Sequence, residues 1–301
     1  MKVLLTGATG YVGKGILPQL TADGHDVVCL IRPGSERKLT AAVEHMGAVS
    51  VQTGDLFDQE SLEAAVAGCD AIIHLVGIIR EKPKKGITFD QVHVTGTRHL
   101  VEAAKKAGIS RFIQMSALGA RANAVSSYHQ TKFAAEQIVI ESGIPYTIFR
   151  PSVIFGPDDE FANMLADLVR LPLTPVIGSG TYRLQPVARQ TVAEVFTQAL
   201  TREAAVNQTF EVGGPEQLTY LQILDTIGRV LGKSKVRKVK VPLPLMKPVI
   251  NVMEGFSFFP ITNTQLTMLL EENICQDGDR LYKAFSASPI RFESGIATYL
   301  R

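Results

Sequence analysis

Tryptophan is absent from the 301 residues, cysteine occurs three times, and neither sign of charge dominates, with 31 Lys and Arg against 29 Asp and Glu. Each scarcity excludes a class of protein. Cys29, Cys69 and Cys275 are odd in number and contain no Cys-x-x-Cys pair, which argues against a disulfide framework or a zinc site and fits a reducing compartment. The histidines (His25, His45, His74, His93, His99, His129) form no His-x-x-x-His on an expected helix, so no metal centre is expected. A net charge of +2 gives no general electrostatic case for nucleic acid. No apolar run reaches the ~18 residues of a membrane span, and the N-terminal apolar run is too soon broken by glycine to read as a signal peptide. A cytoplasmic protein is expected, with contact at a membrane periphery left to one late segment.

What the chain does have is glycine in one telling arrangement. Thr6-Gly7-Ala8-Thr9-Gly10-Tyr11-Val12-Gly13 follows the apolar run Val3-Leu4-Leu5 and opens a helical pattern through Leu17 and Leu20. A dinucleotide diphosphate needs a tight turn out of a strand, main chain close enough to touch phosphate, and N–H groups at a helix start. Gly7 suits the turn, Gly10 the close approach and Gly13 the packing of helix on strand. Gly7, Thr9, Gly10, Tyr11, Val12 and Gly13 are therefore expected to cradle a nucleotide cofactor.

Strand and helix patterns then alternate at the rhythm of a parallel sheet. Asp26–Ile31 reads as a strand buried on both faces, and at its end, where an NAD-preferring site usually has an acid for the ribose 2′-hydroxyl, stands Arg32. Its planar fork suits a 2′-phosphate, with Ser35, Arg37 or Lys38 as helpers, so NADP(H) is expected to be preferred and NAD(H) to be the second choice. A helix near 36–46, a strand near 49–53, a helix near 59–67 and a strand over 71–75 follow. Asp55 and the Leu56 backbone, after the third strand, face an adenine in one reading; in the other, Asp55 caps the next helix. Gly77, beyond the fourth strand, keeps main chain near the cofactor. Lys82–Gly86 reads as a solvated basic loop, and a long helix is expected over 89–106, ending at Gly108 with lysines in its last turn.

After a fifth strand over 111–115, Tyr128 and Lys132 stand four residues apart on one helix face. A lysine near a phenol favours the phenolate, lowering a pKa of about 10 toward that of a general base. A sixth strand over 144–149 leads into Arg150-Pro151-Ser152-Val153, a stiff loop expected to wall a nicotinamide through Pro151, Ser152 and Val153. A helix is expected over 161–171, a proline- and glycine-rich connection over 172–180, a strand over 209–212 and a helix over 219–231.

Together these motifs resemble the short-chain dehydrogenase/reductase superfamily in its extended and atypical branches. Gly213-Gly214-Pro215-Glu216 and the run from Ile261 to Asn273 are similar to the group that contains the nucleotide-binding accessory subunit of respiratory complex I. The resemblance implies an α/β fold: a doubly wound parallel Rossmann sheet over 1–160, completed by about 183–215, with a smaller C-terminal lobe from 161–182 and 216–301 for substrate or partner. It implies a catalytic trio of Tyr128, Lys132 and a hydroxyl. Aligned on the fifth strand, the hydroxyl position falls on Ala117, with Ser116 one residue early; Ser126 and Ser127 are alternative donors. Two further departures are His93, where relatives often have asparagine, and Thr191, where many have aspartate.

Two functions follow as expectations. One is an NADP(H)-dependent reductase or sugar-nucleotide-epimerase/dehydratase-like enzyme on an unnamed small molecule, with Tyr128 as acid/base, Lys132 as its partner and ribose contact, and Ser116 as polariser. The other is a weakly or non-catalytic NADPH-binding accessory subunit. The segment 241–262, rich in Met, Phe and Pro, is expected to form a short helix with Leu245, Val249, Val252, Met253 and Phe256 on one face. That face either packs as core or, with Phe258 and Phe259, docks on a membrane or partner subunit.

Overall fold

A computed structural model describes residues 1–35, 39, 47–254 and 262–300, without the side chains of Lys247, Val249, Val252 and Met253. The helix expected near 36–46, with Arg37 and Lys38, and the pair Phe258 and Phe259 lie outside the described residues.

The chain divides into two units, the first comprising Met1–Arg150, Gln190–Glu211 and Asp279–Ser288. Its β1 (Lys2–Thr6), β2 (Asp26–Ile31), β3 (Val49–Thr53), β4 (Ala71–His74), β5 (Arg111–Met115) and β6 (Tyr146–Pro151), with the strand Gln208–Val212, make one seven-stranded sheet. The order is Gln208–Val212, β6, β5, β4, β1, β2, β3, and the pairings from β6 to β3 are parallel. Parallel strands covered on both faces must be apolar throughout, which is why Val3, Leu4 and Leu5 and Val27 to Ile31 are all buried. β3 is the edge, and its Ser50, Val51 and Thr53 are exposed.

Helices α1 (Gly13–Ala22), α2 (Gln59–Val66), α3 (Gly96–Ala107) and α4 (Ser127–Glu141) belong to this unit. Leu62, Leu100, Val101 and Val139 pack with Leu4, Ile72 and Phe112 into one core. The long helix expected over 89–106 is in two parts, a π-helical turn Asp90–Thr95 and then α3, which ends at Gly108 in the left-handed region (φ 71°) with Lys105 and Lys106 in its last turn. π-turns inside helices occur mostly where a site needs a side chain displaced. A late stretch, Asp279–Ser288, returns to this unit: Phe285 packs on Phe210 and Phe149 at centroid distances of 5.1 and 5.5 Å, and Phe149 packs in turn on Phe196.

The second unit comprises Pro151–Arg189, Val212–Gly278 and Pro289–Arg301. Helices Glu160–Arg170, Tyr220–Val230 and Phe292–Ile296 enclose Leu165, Val169, Ile223, Ile227 and Phe292. Thr219 caps its helix in a capping box with Gln222, the pattern that fixes where the helix begins. The stretch expected as a mere connection over 172–180 carries a strand, Thr174–Ile177, which pairs in parallel with Lys238–Val241. Its alternation over four residues is too short to stand out between proline and glycine. Leu243–Met253 is helical, as expected of that segment, and its Leu245 is 65 % exposed.

Candidate functional site

In the first unit the strand order reverses between β1 and β4, and the loops after those two strands flank the crevice where doubly wound sheets hold ligands. Thr6 closes β1 and His74 closes β4; Thr6 Oγ1 lies 2.6 Å from His74 Nδ1, and Thr97 Oγ1 lies 3.3 Å from His74 Nε2. Burial, and secondarily the charge of Lys132, pushes the His74 pKa down to about 3, so this imidazole is a neutral tie between strands and helix.

The glycine loop is shaped by contacts that a side chain would break. Gly7 adopts φ +78°, and a Cβ there would stand 3.2 Å from Leu75 Cβ. At Gly13 a Cβ would fall 2.3 Å from Gly7 O, so helix and loop meet main chain to main chain. Gly10 is exposed, and among the described residues beyond its chain neighbours only Gly7 O comes within 4 Å of the place of its missing Cβ. Val12 at the head of α1 supplies no side-chain cap, and the first turn holds no acid. A helix start of this kind favours an anion. Thr9 and Tyr11 are half-buried in the same loop and Val12 is buried.

At the end of β2, Arg32 is exposed; its carbonyl accepts from Ser35 N–H at 3.0 Å, while its guanidinium has no hydrogen bond or ion pair with the described residues. Asp55 Oδ1 accepts the amide of Phe57 at 3.0 Å, while the cap of α2 is Asp58, whose carboxylate accepts the amide of Glu60. The capping alternative for Asp55 is thereby replaced by a local turn. Leu56 is buried beneath Gly96, and its carbonyl faces His99 Nδ1 at 3.0 Å.

Around α4 the structure gathers Tyr128, Lys132, His93 and Gly77. Lys132 is buried and donates from Nζ to Met115 O at 2.7 Å, and a Cβ on Gly77 would stand 3.4 Å from that Nζ and 3.5 Å from His93 Nε2. The ring of Tyr128 meets Phe89, His93 and His129 edge to face at 5.4–5.7 Å. Packing pushes the phenol up to about 12, and burial pushes Lys132 down to about 8 against the opposing pull of Glu136. The lowering of the phenol expected from Lys132 is overturned: desolvation prevails, and the ammonium is spent on a main-chain carbonyl.

His93 sits on the π-helical turn and links three elements. Ile78 N–H donates to Nε2 at 3.1 Å, which requires the proton on Nδ1, 3.0 Å from Thr131 Oγ1. The Thr131 hydroxyl lies within bonding distance of the carbonyls of Ser127 and Tyr128. Burial, then the charge of Lys132, pushes the His93 pKa down to about 2. Behind Lys132, Glu136 forms a bidentate pair with Arg150 at 2.8 and 2.5 Å, the carboxylate 1 % and the guanidinium 24 % exposed. Sequence reasoning passed over Glu136; its signal was the Lys132-x-x-x-Glu136 spacing on one helix face.

Other expected members are differently placed. Ser116 N–H donates to Phe149 O at 2.7 Å, so the β5–β6 ladder runs on through Ser116 and the chain has not yet turned. Its hydroxyl is buried and without a hydrogen-bond partner. Ala117 is buried beside it. Ser126 caps α4 and bonds His129, which commits that hydroxyl, and Ser127 is exposed. Pro151, Ser152 and Val153 belong to the second unit. There Ser152 N–H donates to Val212 O, its hydroxyl bonds Asn273 at 2.5 Å, and Val153 O accepts from Val187. Thr191 donates to Ser288 O at 2.7 Å, a structural tie within the first unit. Among the described residues no group of His, Cys, Asp and Glu is arranged to hold a metal, and no helix is long and apolar enough to cross a membrane.

Comparison with known proteins agrees with this geometry. Residues 7–203 match the family described as NAD(P)H-binding. The chain is 29 % identical over 297 residues to the mitochondrial NADH-ubiquinone oxidoreductase 40 kDa subunit of Neurospora crassa, covering 98 % of this chain and 77 % of that protein. It is 30 % identical over 264 residues to the ceramide reductase of Caulobacter vibrioides, covering 87 % and 80 %. The fold is shared with the UDP-glucuronic acid 4-epimerase of Bacillus cereus, solved with UDP-glucuronic acid and NAD, at a TM-score of 0.76 and 20 % identity over 100 % of this chain and 99 % of that one. With its glycine loop at the switch point of a doubly wound sheet, the chain belongs to the NAD(P)H-binding family of Rossmann-fold proteins and is homologous to the complex I 40 kDa subunit.

Proposed function

We propose that the first unit binds NADP(H) in preference to NAD(H) and that the chain is a reductase- or epimerase-like oxidoreductase using Tyr128 and Lys132. The observation that carries this reading is the assembly of Tyr128, Lys132 and Gly77 at the crevice, with Lys132 buried and no carboxylate bonded to its Nζ. The glycine cradle fits a diphosphate, and the Arg32 guanidinium, without a partner among the described residues, fits a 2′-phosphate. When bound, a nicotinamide gives or takes a hydride. Tyr128 Oη gives or takes the matching proton; with a pKa near 12 it is a phenol at neutral pH and so starts as the acid. Lys132, cationic below about pH 8 and fastened to Met115 O, turns its remaining N–H groups to the nicotinamide ribose in this reading. Leu56, Asp55 and Thr9 to Val12 complete the nucleotide wall in this reading.

Ala117 and the sealed hydroxyl of Ser116 favour a second reading, an NADPH-binding accessory subunit of a larger complex with little turnover. The name of the N. crassa relative points the same way, and that of the C. vibrioides relative makes sphingolipid-like carbonyls and alcohols the first substrates to screen. Identifying the nucleotide released from the purified protein, then measuring NADPH oxidation across that screen, tests both. Bound NADPH with turnover supports the enzyme, bound NADPH without it the subunit, and no affinity for either nucleotide refutes both.

A further inference from the structure

The second unit carries an apolar face that its own core leaves uncovered. In the ribbon of Thr174–Ile177 and Lys238–Val241, Thr174 and Val176 point inward, 1 % and 0 % exposed. Pro175 and Ile177 point the other way, beside Val239 and Val241 by register. The outward parity continues upstream, through Leu173 on one strand and through Arg237 and Lys235 on the other. Leu243, beside Gly178 at the ribbon's end, leads to Leu245. Leu173 and Val239, on the outward parity, are 56 and 44 % exposed, and Leu171 and Leu245, before and after the ribbon in sequence, are 46 and 65 % exposed.

The margin of this face is cationic and acid-poor. Lys235 and Arg237 are exposed and have no ion pair among the described residues, whereas Asp225 is taken by Lys238 and Asp167 by Arg170. The ribbon's edge is guarded against strand addition, because Pro175 withholds an amide and lysines line the other strand. No aromatic anchor of the kind that concentrates energy at protein–protein interfaces lies among these residues. We propose that this aliphatic face, with its unpaired lysine and arginine margin, docks on the surface of an anionic lipid bilayer. Shallow aliphatic insertion beside free cations is the chemistry by which a protein lies on such a surface without spanning it. The proposal stands independently of the nucleotide site.

Flotation with vesicles of phosphatidylcholine alone, and of phosphatidylcholine with phosphatidylglycerol, tests it on the full chain. The protein is expected to float with the anionic vesicles, to be released by salt, and to float poorly with the neutral ones. Leu173→Ser/Val239→Ser and Lys235→Glu/Arg237→Glu should each cut the bound fraction at least ~tenfold, with melting temperature and nucleotide affinity unchanged. Failure of the parent to float with anionic vesicles, or flotation of both variants like the parent, overturns the proposal. So does a dimer, seen by light scattering without flotation, that Leu173→Ser/Val239→Ser dissolves, since the face then belongs to a second copy of the chain.

Discussion

The Nζ of Lys132 lies 2.7 Å from the main-chain oxygen of Met115, so a buried cation of α4 is fastened to the last residue of β5. That bond holds Lys132 in one position whether or not Tyr128 is ionised. The two residues should therefore separate under mutation. Tyr128→Phe is expected to leave nucleotide affinity within about twofold and to lower any turnover by ~10²-fold or more, the usual yield of general acid–base catalysis. Lys132→Ala should reduce both. Calorimetry with single-turnover kinetics measures this, and a Tyr128→Phe protein with full turnover removes Tyr128 from the chemistry.

Arg32 sets the second prediction. A charge-assisted bond to a 2′-phosphate is worth ~1.5–3 kcal/mol, or roughly 10–100-fold in Kd. NADPH should bind more tightly than NADH, and Arg32→Ala should close most of that gap while hardly changing NADH. Competitive titration of both nucleotides against parent and variant decides it; equal parental affinities, untouched by the mutation, rule the role out.

Acid stability follows from His74 and His93. Their folded pKa values, about 3 and about 2, lie below the ordinary 6.5, so between those limits the unfolded chain binds protons that the folded chain refuses. Stability should be level above pH 6.5 with respect to these groups and should fall as pH drops below it, by up to ~1.4 kcal/mol per pH unit for each histidine. His93→Gln retains an acceptor for Ile78 N–H and should remove about one proton from that slope. Urea unfolding at stepped pH gives the comparison, and an unchanged slope in His93→Gln would show that His93 is not buried as a neutral ring.

Glu136 bears on stability and on Lys132 alike. Glu136→Gln leaves Arg150 without its carboxylate, and because that guanidinium is 24 % exposed the loss should sit near the lower end for broken buried pairs, ~3 kcal/mol. The pKa of Lys132 should fall further, since Glu136 is the group that raises it. Glu136→Met/Arg150→Met should recover much of the stability without restoring the Lys132 titration. Thermal melts and the pH dependence of nucleotide binding read the two effects apart.

The sheet was legible in the sequence because continuous apolar runs such as Val27–Ile31 have few other uses, and the cradle because glycine at 7, 10 and 13 has a steric cause. That Tyr128 and Lys132 stand together on α4 was legible by spacing alone. Their ionisation was not, because desolvation depends on neighbours far along the chain: Phe89 and His93 reach Tyr128 from a helix some forty residues upstream. The π-helical turn was hidden for a similar reason, since nothing in Asp90–Thr95 breaks an ordinary helical pattern. The bond of Ser152 to Asn273, 121 residues away, was hidden because no local pattern could have supplied that partner.

Phe285 closes the aromatic cluster of the first unit, Ser286 exchanges hydrogen bonds with Gln198, and Ser288 donates two to Glu194. During synthesis, then, the nucleotide-binding unit waits for residues 279–288 to leave the ribosome before Phe149 and Phe210 receive Phe285. Cutting the chain after its sixth strand would not release an autonomous module. The order of emergence makes the two units complete together, and a late nonsense codon should harm the early half as surely as the late one.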